Sequence, residues 1–166
     1  MYTVAVLENA GESVIKQIKI ALRKLQGTVG CVSIWGIEAS SCKDSPDLTV
    51  ISPSCSNLSA GCSKSLLVPS VLLLPNAVPI NSRIISYGLS SKDSLTLSSI
   101  SSKRLVITIQ REFYTLGGKQ VERQEIPVER HSPPLETLAS IAALLVIGVE
   151  PGALISRVNN HITSTY

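Results

Sequence analysis

The chain has 166 residues, of which 44% are hydrophobic and 16% charged, and a formal net charge of +3. That length fits one domain with a sizeable core, and the apolar content excludes a disordered chain. Its 15 lysines and arginines, against 12 acidic residues, form no run longer than a pair such as Arg23-Lys24, so a nucleic-acid surface has little support. Glu8 and Glu12 interrupt the N-terminus before any signal-like apolar run, so a cytoplasmic protein is expected. The stretches Leu66 to Pro75 and Leu138 to Val149 fall short of the roughly 20 residues that a spanning helix needs. No membrane partner is expected.

The first element is a strand over Tyr2 to Val6, running into Leu7-Glu8-Asn9-Ala10-Gly11-Glu12-Ser13 and then a helix from Ser13 to Gln26, with Gly27 as its C′ residue. That helix places Val14, Ile18, Leu22 and Leu25 on one face and Lys16, Lys19, Arg23 and Lys24 on the other. Strand, turn and helix in this order are the layout of a phosphate-binding loop. Such a loop needs glycines, so that backbone N–H groups can close on the phosphates, and a lysine before the Ser/Thr to meet the phosphate charge. Here Val6 falls on the first glycine position, Glu8 lies inside the loop, and Glu12 holds the lysine position. Two carboxylates stand where a polyphosphate would approach. Glu12 also suits the positive end of a helix, so an ordinary strand-to-helix turn explains it without any ligand.

Further strands are expected over Val29 to Trp35, Asp47 to Ile51, Ser70 to Leu74 and Arg83 to Tyr87, with polar turns between them. Ser94 to Ile100, Arg104 to Phe113 and Gln124 to Arg130 alternate with period 2 and read as a small antiparallel unit, with a glycine turn over Thr115 to Lys119. Pro133-Pro134 opens an apolar helix from Leu135 to Ile147 that Gly148 stops, and Pro151 starts a last helix through Val158. The fold class is therefore α/β: a mostly parallel sheet with helices on both sides, carrying an antiparallel unit.

In their shared order, several strings resemble the central ATP-binding domain of the Mur ligases, relatives of folylpolyglutamate synthase. They are Ile85-Ser86-Tyr87-Gly88-Leu89, the antiparallel strands, and the alanine-rich Leu138 to Leu144 ending in Ile147-Gly148-Val149-Glu150-Pro151. The resemblance implies a P-loop-like architecture over 1–166 as a shortened central domain, with the N- and C-terminal ligase domains missing. It matches the family's "TGTNGKTT" loop in placement, with Gly11 retained and Glu8 at the family's first glycine.

The departures touch the chemistry. Where the family's "E.SS" turn supplies a magnesium ligand, this chain has Ser52. The stretch with the "TN…DH" turn and activating lysine has no counterpart. The "NADDP" turn appears as Asn76-Ala77-Val78-Pro79, and the "HN..N" motif that faces the nucleotide base appears as His131 to Glu136, with only His131 surviving.

Each remaining candidate has a plain structural alternative. Glu8, Asn9, Ala10, Gly11, Glu12 and Ser13 form a degenerate phosphate loop that retains Ser13 and the helix amides. His131 beside Pro133-Pro134 reads as a boundary residue, and its pairing with Cys55 as nucleophile and base requires a proximity that the sequence does not supply. Cys31, Cys42, Cys55 and Cys62 lack metal-ligand spacing and are expected to be buried free thiols, so no metal is assigned. The expected function is non-enzymatic: a degenerate Mur-ligase-like binding or regulatory module without a cofactor, its partner a full-length Mur-type ligase or a second copy. The alternative is an ATP-dependent carboxylate–amine ligase of cell-wall precursor type, a divergent member or one piece of a complex, with ATP and magnesium as cofactors.

Overall fold

The computed structural model describes residues 1–25, 30–36, 45–55, 63–72 and 81–155. Among the described residues ten strands and three α-helices follow in chain order. They are β1 (Tyr2–Leu7), α1 (Val14–Lys24), β2 (Val32–Gly36), β3 (Leu48–Ile51), β4 (Ser65–Pro69), β5 (Arg83–Gly88), β6 (Leu95–Ile100), β7 (Arg104–Ile109), β8 (Phe113–Tyr114), β9 (Gln120–Val121), β10 (Gln124–Glu129), α2 (Pro134–Ile147) and α3 (Pro151–Ile155). Eight strands form one sheet in the order β10-β7-β6-β5-β4-β3-β1-β2, while β8 and β9 pair by themselves. The pairs from β2 across to β6 are parallel; β6–β7 and β7–β10 are antiparallel. The fold is thus α/β and mostly parallel. The antiparallel strands do not stand apart, because Tyr87 and Gly88 pair with Leu95 and Thr96 and carry β6 onto the parallel sheet.

Burial follows strand parity. Val4, Val6, Leu48, Val50, Leu67, Ile85, Tyr87, Leu95, Ile107, Ile109 and Ile126 share the face packed by Val14 and Ile18 of α1 and by the apolar side of α2. Leu7, Ile51, Leu66 and Val68 point the other way and pack with Cys55 and Leu72. Strands β3 and β4 are buried along their whole length, as parallel strands covered on both faces must be, whereas β7 alternates buried and partly exposed residues. Among the described residues α1 and α2 lie on the same face and pack on each other.

Three boundaries differ from expectation. The strand expected over Arg104 to Phe113 is divided into β7, Arg104–Ile109, and the separate β8, Phe113–Tyr114. The strand expected over Ser70 to Leu74 lies earlier: β4 is Ser65–Pro69, and Ser70–Leu72 is a single 3-10 turn. Pro69 closes the strand because its ring nitrogen cannot donate further along the ladder. The glycine turn of Thr115 to Lys119 joins β8 to β9, not the two longer strands, and docks on the end of α2 through the Leu116 amide and the Val146 carbonyl at 2.7 Å. Residues Gln26, Gly27, Cys42, Cys62, the segment Asn76 to Pro79 and the end of the last expected helix lie outside the described residues.

Helix α2 is buried on most of its faces. Leu138, Ala139, Ala142, Ala143, Leu145 and Val146 are wholly inaccessible, and Leu144 and Ile147 nearly so. Pro134 sits in its first turn, and Gly148, at φ 115, ends it in the left-handed conformation that glycine adopts with little strain. Its N-terminus thereby reaches the loop after β1.

Candidate functional site

The loop between β1 and α1 lies where ligands of open α/β sheets bind, beyond the carboxyl ends of adjacent parallel strands. Residues 10 and 11 make the turn, with Gly11 at φ 93, and α1 begins at Val14 with Ser13 as its N-cap. The segment after β3, from Ser52 to Cys55, folds against the same loop.

Four backbone amides in and beside the loop already have carboxylate partners within the chain. The Glu12 carboxylate accepts from the Asn9 N–H at 2.7 Å, from the Ser54 N–H at 3.1 Å and from the Ser52 hydroxyl. Glu8 accepts from the Ile15 N–H, in the first turn of α1, at 3.1 Å. Glu136, in the first turn of α2, accepts from the Ser13 N–H at 3.0 Å and from its hydroxyl at 2.7 Å. Gln17 holds the Ser13 oxygen from the other side at 3.0 Å. Three carboxylates therefore occupy four backbone amides, which is the work that phosphate oxygens do in a nucleotide-binding loop. Asn9 closes the ring by donating from Nδ2 to the Ser54 carbonyl at 2.8 Å.

The same contacts set the charge states. Burial pushes the Glu12 carboxyl up, but the hydrogen bonds from Ser52, Asn9 and Ser54 outweigh it and hold the group below the usual carboxylate range. Glu8 goes the other way: burial raises it, the Ile15 amide offsets only part, and the nearby Glu12 and Glu136 charges raise it further. Beneath the loop the Tyr87 phenol donates to the Ile51 carbonyl at 2.6 Å, and burial, with the Glu12 charge, pushes its ionisation far up. It stays a neutral donor.

The structure thus gathers Glu8, Asn9, Glu12, Ser13 and Ser52 in one place. Glu12 lies one residue ahead of the N-cap and turns toward Asn9, Ser52 and Ser54, so the α1 amide is met by Glu8 instead. Ser52 is fully buried with its hydroxyl on Glu12. Cys55 is buried beside it, its thiol on the Leu7 carbonyl at 3.4 Å. His131 is three-quarters exposed and pairs with Glu129 at 3.3 Å, in the wall of an apolar cleft of about 380 Å³ between α1, α2 and β10. The contacts of Cys55 and His131 are separate, and no hydrogen bond joins them. Cys31 is exposed, contrary to the expectation of burial, because it precedes an edge strand.

Two contributors escape sequence reading. Glu136 reaches Ser13 across 123 positions, and its one local signal is an acidic residue in the first turn of a helix. Ser54 is a turn residue whose backbone N–H and carbonyl take part and whose hydroxyl accepts from Asn9 Nδ2 at 3.3 Å. Among the described residues no lysine or arginine side chain is hydrogen-bonded to Glu8, Glu12 or Glu136. Among the described residues no group of three or more His, Cys, Asp and Glu side chains is gathered as a metal ion would require.

No family model and no curated protein sequence matches the chain. Eighteen chains of solved structures do match in fold. One is the UDP-N-acetylmuramoylalanyl-D-glutamyl-2,6-diaminopimelate--D-alanyl-D-alanyl ligase from Acinetobacter baumannii, with a TM-score of 0.58 and 9% sequence identity, covering 96% of this chain and 46% of the ligase. The chain is similar in fold to a Mur ligase and spans less than half the length of that one. No described helix is long and apolar enough to cross a membrane.

Proposed function

We propose that this protein is a Mur-ligase-like scaffold without ligase chemistry, a cytoplasmic binding or regulatory module that works without ATP or a metal ion. The observation that carries the proposal is the occupation of the Asn9, Ser13, Ile15 and Ser54 amides by Glu12, Glu136 and Glu8. A polyphosphate would have to expel at least two of these carboxylates and then sit against them. At about 4 Å, two like unit charges repel by about 4 kcal/mol at the effective dielectric of a protein surface. Phosphoryl transfer further needs fixed cations to neutralise the charge that develops. The loop offers hydrogen-bond donors already in use, and it offers no bonded cation among the described residues.

The resemblance in fold to a ligase supports the scaffold half of this reading, and the self-filled loop supports the loss of chemistry. Isothermal titration of the protein with ATP and magnesium tests it. We expect no binding tighter than roughly 100 μM, which corresponds to about −5.5 kcal/mol. A tighter, stoichiometric isotherm supports the ligase reading instead.

A further inference from the structure

The two edges of the main sheet are built differently. On β10 the antiparallel register, together with the Arg130 N–H on the Lys103 carbonyl at 2.9 Å, turns Gln124, Ile126 and Val128 toward β7. Glu125, Pro127 and Glu129 are left on the outer side. Two charges and a ring nitrogen that cannot donate block the addition of another strand, and α3 packs on β10 as well.

Strand β2, Val32-Ser33-Ile34-Trp35-Gly36, has neither the charges nor the proline, although α1 packs on one of its faces. The Tyr2 N–H donates to the Cys31 carbonyl at 2.9 Å, and the parallel register from Tyr2↔Val32 to Val6↔Gly36 then turns Ser33 and Trp35 toward β1. The N–H and C=O groups of Val32, Ile34 and Gly36 face outward, and no hydrogen bond reaches them among the described residues. Val32, Ile34 and Trp35 are each only partly covered.

We propose that β2 is an association edge whose occupant is β2 of a second copy, joined antiparallel about a two-fold axis at Ile34. In that register Ile34 faces Ile34 of the second copy, and Val32 faces Gly36 at either side. Each outward N–H gains a carbonyl and each outward carbonyl gains an N–H, so the three residues that face outward are all satisfied. The strand is self-complementary in the way a two-fold interface requires: it has no charge to meet its own kind. A partner of different sequence would be selected by charge or by alternating pockets, and this strand offers neither. The inference is independent of the loop and of its carboxylates.

Sedimentation and hydrogen exchange at matched concentrations test the pairing in the intact chain. We expect a dimer at tens of micromolar, with the Val32, Ile34 and Gly36 amides exchanging at least tenfold more slowly in the dimer than in dilute monomer. Val32→Pro removes an outward N–H at the first strand position, where proline is tolerated, and Ser33→Lys adds a gatekeeper charge at an exposed position. Each should weaken the dimer at least tenfold while the circular dichroism melt stays within a few degrees of wild type; if Val32→Pro fails to fold, Ser33→Lys decides. A protein monomeric at several hundred micromolar overturns the proposal. So does a dimer that survives Ser33→Lys, or one whose β2 amides exchange no more slowly than in the monomer.

Discussion

Replacing Glu12 with alanine removes the acceptor that holds the Asn9 N–H, the Ser54 N–H and the Ser52 hydroxyl together. Each ordinary hydrogen bond contributes about 0.5–1.5 kcal/mol net, and bonds to a charged group contribute more. Glu12 is only partly buried, which pulls its share toward the ordinary range, and the Ser52 hydroxyl keeps a weak alternative in the Cys55 sulfur at 3.3 Å. Three such bonds lead us to expect a loss of about 2–3 kcal/mol, or a fall in Tm of roughly 4–12 °C for a chain of this size. The assay is urea unfolding followed by circular dichroism at pH 7, repeated down to pH 3. The folded-state pKa of Glu12 is lowered from its ordinary 4.5, so its contribution is present above that value and lost as the pH falls through the folded pKa. The gap between wild type and Glu12→Ala should therefore be full at pH 7 and close in acid. Coincident melts at pH 7 would refute the account of a loop held by its own carboxylate.

Glu8 has the opposite sign: its folded-state pKa is raised, so its charge opposes folding at pH 7 and ceases to do so below its ordinary 4.5. Glu8→Gln keeps an oxygen for the Ile15 amide, and should melt no lower than wild type at pH 7, with any gain vanishing in acid, by the same urea series. At Gly88 an added Cβ would lie 2.6 Å from Asp93 Oδ2 and 2.7 Å from Ser70 Oγ, so Gly88→Ala should cost about 1–3 kcal/mol in the same melts. Leu144, 1% exposed in the core of α2, should cost about 2–5 kcal/mol on truncation to alanine; a melt superimposed on wild type would mean that the helix is exposed. Glu12→Lys alone should show no ATPase activity in a coupled assay, because Ser52 still offers magnesium no carboxylate.

What the residues disclose locally is what the fold realises. The run from Tyr2 through Gly11 to Ser13 specifies strand, turn and helix because each step rests on neighbours in sequence: apolar residues, a left-handed glycine, then a face of period 3.6. Gly148 stops α2 for the same reason. Pro69 misled because a proline marks either the break before a strand or its last residue, and only pairing with Tyr87 decides between them. The attachment of β6 to the parallel sheet rests on two register pairs beyond a turn, which no periodicity announces. At the loop, the replacement of lysine by Glu12 could be read directly as repulsion. That the carboxylate turns inward to take the loop's own amides could not, because its partners Ser52 and Ser54 come from another strand's end and Glu136 from a helix 123 positions away from Ser13.

The most direct measurement of the self-filled loop is residue-resolved: the amide resonances of Asn9, Ser13, Ile15 and Ser54 in the intact protein during a titration with ATP and magnesium to roughly 1 mM, ten times the affinity bound that separates the readings. Carboxylates that already hold these amides predict four resonances that stay in place. Saturating shifts at all four, with a midpoint below roughly 100 μM, would mean that a phosphate displaces Glu8, Glu12 and Glu136, and would contradict the account.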